Sequence, residues 1–302
     1  MSTLIYCNAE KRHDFVYLFD VTDGNPNGDP DNGNLPRVDP ETMRGMVSDV
    51  SIKRKVRDWV DATHGEKEHY RIYVQNKGIA LNDLHKEADE EVQKEAREKQ
   101  QEKQEKADGN QKRSQEDARR EWMCRHFYDV RTFGAVMSTG DYSAGQVRGP
   151  VQLTFARSVD PITPLDITIT RVAITKSGED KRTEMGRKAL VPYALYLGYG
   201  FFTPHFARQA GFSSEDLTLF WTAFQSAWNL DRSASRGLLA CRSIYIFSHE
   251  HPLGNVHAHR LFERIKVQRR AEIEIPRQFS DYAVLVDDTA LPQGVTLTTI
   301  EC

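Results

Sequence analysis

Asp14 to Val21 reads DFVYLFDV, an unbroken apolar and aromatic run of strand length, whereas Asp23 to Pro40 concentrates Gly, Pro, Asn and Asp. The first pattern predicts a strand that opens a central sheet. The second predicts a surface loop of successive turns, because that residue mix supports neither helix nor central strand. Asp39-Pro40-Glu41-Thr42 then predicts a helix start, with the helix running to about Ala62. In its second half Ile52, Val56, Trp59 and Val60 share one face and Lys53, Arg54 and Arg57 cluster on another. Met46, Val47 and Val50 project toward the basic side, so something else should bury that end.

Arg71 to Val74 and Gly78 to Leu81 are short apolar pieces leading into Asn82 to Glu121, a stretch dominated by Lys, Glu, Gln, Asp and Arg. Such a segment is expected to build no core and to form a solvated appendage, either two charged helices turning at Gly109-Asn110 or a partly disordered insertion. The stretch from Tyr128 to Arg157 organises the rest. It predicts a strand over Val130 to Met137, a Gly/Ser loop over Ser138 to Gly149 and a second strand over Val151 to Phe155. Its arginines and free loop amides would suit a phosphate.

Ile167 to Thr175 alternates as a half-exposed strand, turns at Lys176-Ser177-Gly178-Glu179 and returns through Lys181 to Leu190, a projecting hairpin rich in Arg and Lys, Arg182 included. Val191 to Phe202 reads as core strand. A helix capped by Ser213 or Ser214 carries Leu217, Phe220, Phe224, Ala227 and Trp228 on one face. Ser243 to Ser248 predicts a buried strand, Val256 to Val267 a short helix and Tyr282 to Val286 a last strand. The order is that of an α+β βαββαβ core with two insertions and a C-terminal addition.

The 302 residues are 39% apolar, which suffices for one large domain or two ordinary ones. No run has the length of a membrane span and the first residues lack a signal-peptide core, so a cytoplasmic protein is expected. Cys7, Cys124, Cys241 and Cys302 form no CxxC pair, which fits a reducing compartment. The net charge of -3 hides an uneven distribution. Without the insertion and the tail from Glu272, the remainder holds 30 basic and 25 acidic residues, which permits a basic groove.

Walker, GxSxG, HExxH and helix-opening GxGxxG motifs are absent. His249, His251, His257 and His259 straddle a turn, which weakens a metal reading. Asp20, Asp23, Asp29, Asp31 and Asp39 leave metal-dependent RNA cleavage open as the enzymatic alternative, against simple turn chemistry. Arg131 to Met137 echoes the basic-Phe-Gly pattern of RNA-recognition sheets without its later aromatics, so bound RNA would be held by its phosphates and keep its base edges free.

DFVYLFDVTDGNPNGDP, VSDVSIKRKVRDWV, YDVRTFGAVMS with GQVRGPVQLTFARSVDPI, and DRSASRGLLACRSIYIFSHE together resemble the repeated backbone subunit of subtype I-C CRISPR surveillance (Cascade) complexes, within the RAMP superfamily. The resemblance runs from about Asp14 to Gly294, with the charged insertion its poorest part. It implies an RNA-recognition-like, ferredoxin-like palm spanning residues 1–302, with a finger-like insertion at 66–125 and a thumb-like hairpin at 163–190. It also implies a non-catalytic scaffold without cofactor that polymerises head to tail along a crRNA as a helical filament. The scaffold presents the guide's bases to target DNA and works with other Cascade subunits and a recruited helicase-nuclease. By the same resemblance Arg44, Ser48, Lys53, Arg54, Arg57, Arg131, Gln146, Arg148 and Gly149 meet guide phosphates, and Arg171, Arg187 and Lys188 of the thumb-like hairpin are expected to bind the RNA as well. Asn25 and Asn27 fit contact either with RNA or with the adjacent copy.

Overall fold

The computed structural model describes residues 4–102, 115–171 and 184–302. Strand β1 (His13–Gly24) is followed by a small ribbon, β2 (Gly28–Asp29) and β3 (Leu35–Pro36), then by β4 (Arg44–Val47) and helix α1 (Asp49–His64). The charged segment supplies α2 (Leu81–Glu102) and α3 (Gln115–His126), and α4 (Tyr128–Phe133) follows directly. Next come β5 (Gly134–Met137), β6 (Gly145–Arg148), β7 (Val151–Leu153), β8 (Ala156–Pro161), β9 (Leu165–Arg171) and β10 (Glu184–Phe202). The chain ends with α5 (Pro204–Ala210), α6 (Ser214–Leu230), β11 (Leu238–His249), α7 (Ala258–Phe262), β12 (Ile265–Arg269), β13 (Tyr282–Val286) and β14 (Val295–Glu301).

The main sheet runs β14-β11-β1-β10-β8-β4, and β7 and β9 also pair with β10. Its strands pair antiparallel, with β1 between β10 and β11. Helices α1 and α6 cover one face, where Phe15, Tyr17 and Phe19 meet Phe220, Trp221, Phe224 and Trp228. On the other face Val16, Leu18, Tyr245 and Phe247 pack under Leu261, Ile265 and Tyr282 from α7, β12 and β13. With both faces covered, β1 is apolar without alternation. Room for its large rings comes from the neighbouring strand: Gly200 lies opposite Phe15 and Gly198 opposite Tyr17. A Cβ at either glycine would fall within 2.2 Å of the facing ring.

The expected strands at Asp14–Val21, Val191–Phe202 and Ser243–Ser248 and the helix at Ser213/Ser214 are present. Ser213 and Asp216 close a capping box on α6. Other expectations need correction. Val130 to Phe133 lies in helix α4 with all its residues buried, so only Gly134–Met137 of that stretch is strand. The predicted helix from Pro40 starts instead at Asp49, capped by Ser48, and the untidy half, Arg44–Val47, pairs with β8 as strand β4. The expected helix at Val256–Val267 is only α7, and its remainder forms β12, which pairs with β13 outside the main sheet. Tyr282–Val286 is therefore not the last strand; β14 pairs with β11.

The charged segment also contributes to a core. Leu84 and Ala88 of α2 pack with Tyr73, Trp122, Met123 and Phe127 in a separate cluster. Its sparse apolar residues suffice because the flanking chain brings the bulk. The expected turns at Gly109-Asn110 and Lys176 to Glu179, and Lys181 and Arg182, lie outside the described residues. Among the described residues no helix is long and apolar enough to cross a membrane.

His13 sits at the start of β1 with its ring nitrogens 2.9 Å from Ser248 Oγ and 2.9 Å from the Asn8 carbonyl. Burial lowers its pKa to about 4, opposed by the Asn8 carbonyl and aided by nearby His249. Above pH 6.5 the ring is neutral in both folded and unfolded chains. As pH falls toward 4 only the unfolded chain takes up the proton, so stability decreases by roughly 1.4 kcal/mol per pH unit, about 3 kcal/mol in all. Urea unfolding between pH 7 and 4 should show this extra slope in the wild type and lose it in His13→Gln.

Candidate nucleic-acid interface

Helix α1 begins where the long loop returns. The Ser48 amide and hydroxyl both donate to Asn27 Oδ1, at 2.8 and 2.9 Å, and Ser48 Oγ accepts from the Ser51 amide. Asn25 is buried, its Nδ2 donating to the Asn34 carbonyl at 2.7 Å. Arg236 Nη1 donates to the carbonyls of Asn25 and Pro26. The NPNGDP loop is thus stitched to α1 and to the loop before β11, and Asn25 and Asn27 are engaged within the protein.

The basic face of α1 is largely neutralised. Lys53 Nζ is 2.8 Å from Asp49, Arg54 Nε 3.5 Å from Asp58, and buried Arg57 donates to Asp129 at 2.8 Å. The sequence reading passed over Lys55, whose buried ammonium pairs with Asp231 and whose pKa burial nevertheless lowers. Only Arg54 of these four is exposed. Arg44, also exposed, has no ion pair among the described residues.

Arg131 is placed differently from its phosphate-binding expectation. It is 5% exposed and its guanidinium donates to both Asp216 oxygens, at 3.0 and 2.8 Å, and to the Cys124 carbonyl. Its charge is spent inside the protein. Gly149 is buried because its α-carbon abuts the Phe133–Gly134 backbone, where a Cβ would come within 2.3 Å of the Phe133 carbonyl carbon. Gln146 and Arg148, by contrast, project from the exposed face of β6. Arg148 stacks 4.3 Å over Phe206 and has no ion pair among the described residues.

Arg131, Gln146 and Arg148 meet at a cavity of about 960 Å³ between α3, β6, α5 and the start of α6. The fold adds Arg120, Arg125 and Arg208, none of which sequence reasoning singled out. Arg120 faces Asp117, Arg125 lies 3.1 Å from Glu95 and Arg208 3.3 Å from Glu10. Arg148 is therefore the cation there with the least compensation. On the hairpin, Arg187 is 3.3 Å from Asp166 and largely exposed, Lys188 pairs in register with Ile167, and Arg171 with Glu184. These three lie on a different element from the cavity.

The loop aspartates do not converge. Asp20 binds Arg242, Asp29 binds Arg37 and caps the next turn, and Asp39 binds Arg157. His249 pairs with Asp14 at 3.0 Å, and His251 accepts from the Leu253 amide, so both organise their own turn. Among the described residues no three His, Cys, Asp or Glu side chains form a metal-holding group.

The family model for CRISPR-associated protein Cas7 matches residues 11–287. The chain belongs to the Cas7 family. A CRISPR-associated protein Cas7 of Haloferax volcanii is 38% identical over 63 residues, 21% of this chain and 17% of that relative's length. The structure is also similar to a chain of a solved "CRISPR RNA-guided surveillance complex, pre-nicking", with a TM-score of 0.50 and 17% identity over 83% of this chain and 82% of the other. A second "CRISPR RNA-guided surveillance complex" chain gives a TM-score of 0.46 at 16% identity, covering 80% and 71%. At 17% identity the first of these likenesses is one of fold, a mixed α+β architecture around a large antiparallel sheet.

In this Cas7 chain two arginines of the cavity differ in what they hold: Arg131 fixes the fold and Arg148 does not. Arg131→Met leaves the Asp216 charge buried and unpaired and should destabilise the protein by about 3–5 kcal/mol. Arg148→Ala loses only an exposed cation–π contact, about 1 kcal/mol or less. Urea midpoints of the two variants measure the difference.

Proposed function

We propose that this Cas7-family chain is a non-catalytic backbone subunit of a type I-C CRISPR surveillance complex. It holds a segment of crRNA through the phosphates, polymerises head to tail along that RNA and presents the bases for pairing with target DNA. The observation that carries this reading is the Cas7-family match across residues 11–287. In it, the strand order β11-β1-β10-β8 with α1 and α6 on one face is the ferredoxin-like palm. The insertion at 66–125 is the finger, the hairpin at 163–190 the thumb, and the whole chain one palm domain with insertions. Its partners are the crRNA, further copies of itself, other Cascade subunits and a recruited helicase-nuclease, in the cytoplasm and without a cofactor.

The geometry favours a grip on phosphate over catalysis. Arg44 and Arg148 are exposed without an ion pair among the described residues and Arg54 is exposed beside Asp58, while three of the five loop carboxylates, Asp20, Asp29 and Asp39, are paired with arginines. A guide holder needs that combination, since Watson–Crick pairing and not the protein reads the target.

Expression with its guide array, followed by purification and sizing of bound nucleic acid, tests the proposal. Discrete RNA of uniform length, shared by several copies and uncut after adding Mg²⁺, is the expected outcome. Each of Arg44→Ala, Arg54→Ala and Arg148→Ala should flatten the log–log salt dependence of RNA binding by about 0.7 if it removes one phosphate contact. Protein free of RNA, or RNA cut at regular spacing by an activity lost on one Asp→Ala change, would overturn it.

A further inference from the structure

The chain has 11 Tyr, 14 Phe and 4 Trp, and all of them fall within the described residues. Every one is buried or partly buried except Phe155, which is 51% exposed. The way it is exposed is informative. Along the junction of β7 and β8, Leu153 pairs with Gly200 and Arg157 with Leu197. Four steps on one strand therefore face three on the other, which is a β-bulge, and Thr154–Phe155 is where the extra residue sits.

Thr154 keeps the ladder closed. Its amide donates to the Tyr199 carbonyl at 2.9 Å, and its hydroxyl accepts from the Tyr199 amide at 3.2 Å. Its carbonyl accepts from buried Tyr17 Oη at 3.3 Å. The bulge is thus anchored from both sides, and Phe155 is the residue it turns out to water. Bulges of this kind redirect one side chain and are enriched beside functional sites.

One cation lies close along the strand. Arg157, two residues on, has a half-exposed side chain that lies 2.7 Å from Asp39. Strand β4 pairs with β8 through Met46–Arg157 and Val47–Ala156, so the chain leaves β4 for Ser48 and α1 abreast of Phe155. Exposed Arg44 lies at the far end of that neighbouring strand, opposite Pro161. One aromatic ring two positions from a half-exposed arginine, with buried Ala156 and polar Thr154 as its chain neighbours, is a single exposed side chain and not a protein-docking patch. With Arg157 it has the composition of a single-strand binding surface, a π-face for a base and a cation for the backbone.

We propose that Phe155 is a stacking platform for a nucleobase of the bound single-stranded RNA, with Arg157 two positions on for a flanking phosphate and Arg44 farther along β4, opposite Pro161. The inference rests on the guide-holding reading and deepens it. Stacking engages the face of a base and leaves its pairing edge free, as presentation to a target strand requires. It also supplies an aromatic contact that the phosphate-only expectation lacked.

The test is binding of a fluorescein-labelled, mixed-sequence single-stranded RNA to the full-length protein and its Phe155 variants. Phe155→Ala should weaken binding about 5- to 150-fold, with the salt slope and the melting temperature unchanged. Phe155→Trp should retain affinity, its indole fluorescence quenched by RNA, and Phe155→Leu should fail as Ala does. Unchanged affinity in Phe155→Ala, or full rescue by Leu, would overturn the stacking role alone. So would a Phe155→Ala defect in RNA-free self-association by sedimentation, which would mark the ring as a contact between copies. A wild type that binds no RNA would overturn the guide-holding reading and this inference with it.

Discussion

Asp129 and Arg131 stand two residues apart on a six-residue helix, each out of water, and each is joined to a charge brought by a different helix. Arg57 of α1 meets Asp129 at 2.8 Å and Asp216 of α6 grips Arg131 from both oxygens. Asp129 also accepts the Tyr73 and Val74 amides, and Tyr128 Oη donates to the Asp216 carbonyl. A buried ion pair adds little net stability over apolar packing, but its members cannot be separated cheaply. Helix α4 therefore fixes how α1, α6 and the base of the charged insertion sit relative to one another. Asp216 has a further role, capping α6 through Ser213, so the same carboxylate sets where that helix begins.

This internal consumption of charge shapes the surface. Much of the positive character that the chain displays in linear order is satisfied before it reaches solvent: Lys53, Lys55, Arg57, Arg131 and Arg236 all face carboxylates at short range. Other cations stay at the surface, among them Arg148 over Phe206, Arg44 on β4 and Arg187 beside Asp166 on the hairpin. A net charge of -3 is compatible with holding an anionic polymer when positive charge is gathered locally where the polymer lies.

The large antiparallel sheet is covered on both faces, and beyond β8 its strand β4 is bridged in turn by Arg37–Asp39. Phe155 and Arg157 lie where β8 runs between β10 and β4, and the bulge that exposes the ring is held by hydrogen bonds reaching into the core. Rigid strands are better supports for a binding side chain than loops, because the ladder fixes the backbone from which the side chain projects.

Local signals were legible in the chain itself. The apolar run at Asp14–Val21, the period and cap of the helix after Ser213, the core strand at Val191–Phe202 and the family resemblance needed only neighbouring residues to be recognised. The boundaries that failed were those where tertiary partners outweighed local preference. Tyr128–Phe133 has strand-like residues but becomes helix where Asp129 and Arg131 find counter-charges 72 and 85 positions away, and Arg44–Val47 becomes strand because β8 offers it an edge. The site divided in the same way. The sequence supplied arginines and one phenylalanine of no special mark. Whether each charge would be neutralised inside or offered to a ligand, and whether that ring would be packed or turned outward, depended on what long-range contact brought beside it. A linear chain records the identity of a group, and only the folded chain sets its partner and its exposure.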